Sequence, residues 1–313
     1  MKQLPSAPTR RQFLHASTAL TAGALAGCAT GQPTAQAGFI DAHVHIWTPD
    51  TAAFPLASGY QPSAMQPPSF TAEEFLAIAR PHGVTRGVLI QMSFYRFDNR
   101  YMTDAIHRFP GVFAGVGIVD AAAPRPQDAM RALAKAGVRG FRISPGQQTV
   151  AAWLGSPGMT EMWKCAADDG LALCPLVGPD ALPGLAAMCR RFPRTRVILD
   201  HFARIGMSGQ FLKADLVALG ALAKFPHVYV KASAFYAFGQ KRAPYLEFGP
   251  MIHRLRNSFG PQRLMWASDC PFQLRPGHTY ADSLALIRDR LDFLTASDRD
   301  WMLRRTAEKV FFA

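Results

Sequence analysis

The sequence predicts a single-domain (β/α)8 barrel. Three observations carry this prediction. Eight short apolar runs follow residue 38, amphipathic helical patterns lie between them, and each run is almost continuously Val, Ile and Leu in character. Strands buried on both faces need such unbroken runs, whereas strands with one wet face alternate. Eight strands alternating with helices over this length close most simply into a barrel. A doubly wound sheet is the rival, but no Gly-x-Gly-x-x-Gly follows the first run.

The expected strands are 39–45, 87–91, 113–119, 138–143, 172–177, 196–201, 228–232 and 264–269. Thr71-Ala72-Glu73-Glu74 reads as a capping box opening a helix over 71–80. Apolar residues at helical spacing mark 127–135, which stops at Gly137. Similar patterns cover 181–191, 212–224, 245–259, 280–293 and 298–310. The Pro-rich stretch 48–70 is a long loop after the first strand, on the face where a barrel assembles its site, and is expected to cover that site.

The chain has 313 residues and a formal charge of +12. Lys2, Arg10 and Arg11 account for the difference between +12 and +9, because residues 1–27 contain no acid. The other basic residues are scattered. No Lys/Arg block interleaved with aromatics points to nucleic acid. A site for anionic substrates suits this balance.

Residues 1–28 read as a targeting segment. Thr9-Arg10-Arg11-Gln12-Phe13-Leu14 is a twin-arginine pattern, followed by an Ala-rich stretch too short to span a membrane. It ends in Leu25-Ala26-Gly27-Cys28, which looks like a lipobox with Cys28 as the lipidated residue. Ala35-Gln36-Ala37 is a competing cleavage site. Residues 29–38 read as a flexible tether and 39–313 as the folded domain. The expectation is export by the twin-arginine route to the periplasm, with the membrane touched only through the lipid. Four cysteines lie beyond the tether, at 165, 174, 189 and 270, with no disulfide or zinc spacing, so buried thiols are expected.

Polar residues at the strand ends define the candidate site. His43 and His45 end the first strand, and alternation places them and Asp41 on one face. Paired imidazoles can hold a divalent metal or polarise a carbonyl oxygen. Gln91 ends the second run, Arg139 and Arg142 lie on the fourth, His201 and Arg204 follow the sixth, Lys231 lies on the seventh and Asp269 ends the eighth.

The His43-Val44-His45 strand, Asp200-His201-Phe202-Ala203-Arg204 and Ala267-Ser268-Asp269-Cys270-Pro271-Phe272 together resemble the amidohydrolase superfamily. Gly137-Val138-Arg139-Gly140-Phe141-Arg142 and the terminal Thr306-Ala307-Glu308-Lys309-Val310-Phe311-Phe312 extend the likeness over nearly all of 39–312. The pattern resembles the amidohydrolase-2 branch and its 2-pyrone-4,6-dicarboxylate lactonase-like group. That resemblance implies hydrolysis of a small carboxylated lactone, with Asp269 activating water and His43, His45 and His201 binding the carbonyl. Arg204 stands where the lactonases bind a substrate carboxylate. Arg142, Arg139, Lys231 and Gln91 are further candidates for substrate contact. Residues 140–143 offer no bridging Lys or Glu, and 173–177 offer no histidine, so a binuclear centre is not expected. Either no metal is required, or one divalent ion such as Zn²⁺ is held by His43, His45 and Asp269. A metal-dependent decarboxylase and an inactive carboxylate-binding barrel are the alternatives.

Overall fold

The computed structural model describes residues 38–313. The twin-arginine segment, Cys28 and all but the last residue of the tether lie outside the described residues. Among the described residues, no helix is long and apolar enough to cross a membrane.

Eight parallel strands pair in chain order: β1 (Phe39–Val44), β2 (Val84–Ile90), β3 (Phe113–Gly117), β4 (Val138–Ile143), β5 (Ala172–Pro175), β6 (Arg196–Leu199), β7 (Val228–Ser233) and β8 (Leu264–Ala267). The parallel Val44–Cys270 bridge and the bond from His45 N–H to Cys270 O (2.8 Å) close the ring. The predicted barrel is present, with each strand at its expected place.

The last strands end earlier than their apolar runs. His201, Phe202, Ala203 and Arg204 all have φ between +51° and +57°, and Asp269 has φ +63°. L-residues reach that left-handed region at a cost of roughly 1–2 kcal/mol each, so the extended run stops there. Both turns carry candidate site residues.

The capping box forms as expected: Thr71 Oγ1 accepts from Glu74 N–H, and Glu74 Oε2 accepts from Thr71 N–H, opening the helix Ala72–Ala79. The helix expected over 245–259 starts later, at Gly249, with Pro250 in its first turn. Two helices fall outside the sequence reading, Arg100–Arg108 and Val150–Gly155, while the helical pattern around Cys165 is the helix Pro157–Asp168. The first buries only Tyr101, Met102 and Ala105, a stripe too narrow to stand out in an Arg-flanked segment.

Two apolar layers hold the fold. Side chains such as Ile40, Val88, Val116, Ile198 and Met265 fill the barrel, joined by Val310 and Phe311 from the C-terminal segment. A larger layer lies between the strands and helices, including Trp163, Trp266 and Phe75. All four cysteines beyond the tether are buried free thiols, as expected.

Candidate active site

Strict alternation along β1 fails at the residues that matter most. The register with β2 shifts between Asp41 and Val44. Asp41 therefore leaves the His43 face. Its carboxylate accepts from Ser268 N–H (2.9 Å), His43 N–H (3.2 Å) and the hydroxyl of Tyr280 (3.0 Å) on the surrounding helix Tyr280–Ala285. His43 meets a different set: Asp200, Lys231 and Arg142 in the barrel mouth.

Three imidazoles surround one carboxylate oxygen. Asp269 Oδ1 lies 3.3 Å from His45 Nε2, 3.4 Å from His43 Nε2 and 3.8 Å from His201 Nε2. It is buried and has no hydrogen-bond partner of good geometry. The other oxygen, Oδ2, accepts from the Tyr236 hydroxyl at 2.6 Å. Tyr236 thus fixes the carboxylate and leaves Oδ1 as the available oxygen.

The ring orientations follow from their outer partners. His45 Nδ1 lies 2.9 Å from the carbonyl of Ile90, which can only accept, so Nδ1 donates and neutral His45 turns the Nε2 lone pair inward. His201 Nδ1 pairs with Ser233 Oγ at 2.8 Å. His43 Nδ1 faces Asp200 Oδ1 and Lys231 Nζ, both at 3.2 Å. Behind it, Lys231 pairs with Asp200 at 3.0 Å with neither side chain exposed, and Arg142 Nη2 reaches Asp200 Oδ2 at 3.2 Å.

Burial lowers the His201 imidazole to about 4, against the raising effect of Asp269 and Asp200. Burial, reinforced by Lys231, holds His43 well below its ordinary value. Burial alone would raise the carboxyls, but Lys231, His43 and Arg142 hold Asp200 well down, and the histidines do the same for Asp269. At neutral pH the mouth therefore holds the Asp200 and Asp269 carboxylates beside neutral His43 and His201.

These shifts make stability depend on pH. Below about 6.5 the unfolded chain protonates its histidines while folded His201 and His43 stay neutral, so stability falls as pH drops towards 4. Asp41, raised to about 6 by burial, acts oppositely between 3.8 and 6. Two histidines outweigh one carboxyl. Unfolding free energy is expected to be lower at pH 4.5 than at pH 7. Urea denaturation at the two pH values checks this, and equal stability would contradict it.

The cavity over Asp269 has a volume of about 280 Å³. His45, Arg142, His201, Arg204, Tyr236 and Asp269 line it, with Leu176, Met207, Phe238 and Phe272 as apolar walls. The loop 48–70 contributes no lining residue. Trp47 Nε1 donates to Pro67 O (2.8 Å), tying that loop to the end of β1, and residues from 204–207 and 234–238 line the cavity.

The expected substrate contacts divide. Arg204 lines the cavity and has no hydrogen-bond or ion-pair partner for its guanidinium among the described residues. Arg142 lines it too, but one nitrogen is committed to His43 and Asp200. Lys231 is wholly buried behind His43 and does not reach the cavity. Gln91 donates to the carbonyls of Arg96 and Asp98, tying down its own loop. Arg139 donates to the carbonyls of Ala134 and Val138 near the start of β4, away from the mouth. Sequence reasoning missed Tyr236, which sits in a loop without periodicity. It also missed Asp200, whose place directly before His201 was the available signal.

Among the described residues, His43, His45 and Asp269 form a set of three that could hold a metal ion, their ligand atoms lying within 4.8 Å of one another. The inward lone pair of His45 and the orphaned Asp269 Oδ1 fit a single divalent ion.

Fold and site together define a hydrolase built on a (β/α)8 barrel, with the buried Asp269 carboxylate at the end of the last strand. The chain belongs to the amidohydrolase family, whose model matches residues 40–313. It is 31% identical to an L-fucono-1,5-lactonase of Burkholderia ambifaria, over 76% of this chain and 82% of that one. It is 28% identical to a 4-sulfomuconolactone hydrolase of Rhizobium radiobacter, over 75% and 76%. The solved structure of an amidohydrolase from Burkholderia multivorans with bound zinc superposes with a TM-score of 0.73 at 22% identity, covering 88% of this chain and 99% of that one. The resemblance read from the motifs is borne out.

Proposed function

We propose that this protein opens a small lactone bearing a carboxylate, with Asp269 as general base. The observation that carries the reading is Asp269 Oδ1: an ionised, buried oxygen without a hydrogen bond, ringed by three imidazoles and held in place through Oδ2. Oδ1 takes a proton from water as the oxygen attacks the ring carbonyl. The oxyanion develops against the guanidinium of Arg142 and the Nε2–H of His201, in the tautomer whose Nδ1 accepts from the Ser233 hydroxyl. Collapse breaks the ring C–O bond, and the proton held by Asp269 passes to the leaving alkoxide. Arg204 grips a carboxylate of the substrate by a forked pair of hydrogen bonds. The names of the two lactone-hydrolysing relatives support the bond cleaved.

A divalent metal held by His43, His45 and Asp269 would polarise the carbonyl and lower the pKa of bound water. Arg142 Nη2, 3.0 Å from His43 Nε2, already places positive charge beside that nitrogen. We therefore favour a reaction that needs no metal. Acid release from a panel of carboxylated lactones, with full-length protein before and after chelation, tests both points. Unchanged turnover after chelation is expected. Activity restored only by Zn²⁺ would overturn the metal-free reading, and no turnover on any lactone would overturn the function. On the same panel, Arg204→Ala should raise KM about tenfold or more while kcat changes little. An unchanged KM would remove its role as a clamp.

We also propose export by the twin-arginine route and a lipid anchor at Cys28, supported by the motifs before residue 29. Cys28→Ser should move the protein from the membrane fraction to the soluble periplasm. Retention in the membrane fraction would contradict the anchor.

A further inference from the structure

A second cavity opens on the same end of the barrel, where β3 and β4 finish. Its volume is about 500 Å³, and Arg142 lines both it and the catalytic cavity. Its deeper walls are apolar and buried: Val119, Ile143, Trp153, Met159 and Met162. Gln147 and Gln148 lie exposed among its lining residues. Phe97 also lines it and remains 50% exposed.

Ligand sites usually span roughly 300–1,000 Å³. The catalytic cavity alone, at about 280 Å³, falls just short of that range, and the second cavity, which shares Arg142 with it, lies within it. Methionines at the wall adapt to irregular apolar shapes. A half-exposed Phe97 gains apolar burial only when something apolar covers it. The anion grip lies elsewhere: Arg204 follows β6, whereas this cavity follows β3 and β4.

We propose that the second cavity holds an apolar arm, alkyl or aryl, of the lactone substrate. The ring sits at Asp269, the arm passes beside Arg142, and a carboxylate meets Arg204. This deepens the lactone reading and rests on it for the ring. The affinity of the cavity for an apolar group stands apart from catalysis.

Each methylene buried is worth about fourfold in binding or kcat/KM. The test compares two γ-lactone carboxylates, carrying methyl or pentyl on the ring carbon bonded to the ring oxygen. The full-length protein should prefer the pentyl compound at least tenfold in kcat/KM. Ala122→Trp places bulk in the cavity from an exposed lining position. It should abolish the preference and leave methyl-lactone hydrolysis unchanged. Equal rates in the unsubstituted protein, or a preference that survives Ala122→Trp, would overturn the inference.

Calorimetric binding of the two ring-opened hydroxy acids separates this inference from the lactonase reading. If neither lactone turns over, the lactonase reading fails. Tighter binding of the pentyl acid, lost in Ala122→Trp, then still supports the cavity, and equal binding overturns it.

Discussion

Asp269→Asn is expected to lower kcat by about 10²–10⁴-fold, the usual contribution of a general base, with the barrel still folded. The amide keeps the shape of the carboxylate and still offers Tyr236 an oxygen to donate to, so the surrounding contacts persist. What is lost is the basic oxygen. Steady-state hydrolysis of the best lactone found, together with thermal unfolding of the variant, checks both halves. Turnover within threefold of the unsubstituted protein would sink the mechanism. A collapse in stability would instead place Asp269 among the residues that hold the barrel closed.

Lys231→Met should destabilise the protein by about 3–5 kcal/mol, the cost of leaving a buried charge without its partner. Lys231 and Asp200 are both fully buried and 3.0 Å apart, so solvent does not screen the pair. Asp200→Asn in the same chain removes the stranded anion. The double variant should then be less destabilised than the sum of the single changes. Urea unfolding of the four proteins measures the coupling, and strict additivity would show that the two side chains act independently. This pair lies behind His43, so the charges that cost most to bury also fix the ring facing Asp269.

The strands were legible because parallel strands buried on both faces cannot hide their apolar character. Their ends were less so. The run 196–201 reads as one strand, yet the backbone turns left-handed at His201, and no composition rule marks four consecutive L-residues for that region. Alternation placed Asp41 beside His43, and a single register shift in β1 separated them. Among the arginines, residue type alone could not distinguish Arg204, which faces the cavity unpaired, from Arg139, which caps nearby carbonyls. Distance along the chain hid the most consequential contact, that of Tyr236 with Asp269.

The seam between the last and first strands has a consequence for endurance. β8 and β1 are joined near the catalytic end by a few bonds: His45 N–H to Cys270 O, Asp269 N–H to His43 O, and Ser268 N–H to the Asp41 carboxylate. These bonds belong to the segments that carry the reactive groups. When the seam breathes, Asp269 drifts from the imidazoles around it in the same movement that unzips the ring. The amides of His45, Ser268 and Asp269 should therefore exchange with solvent deuterium only when this seam opens. On heating, exchange at these three amides should rise in step with loss of activity.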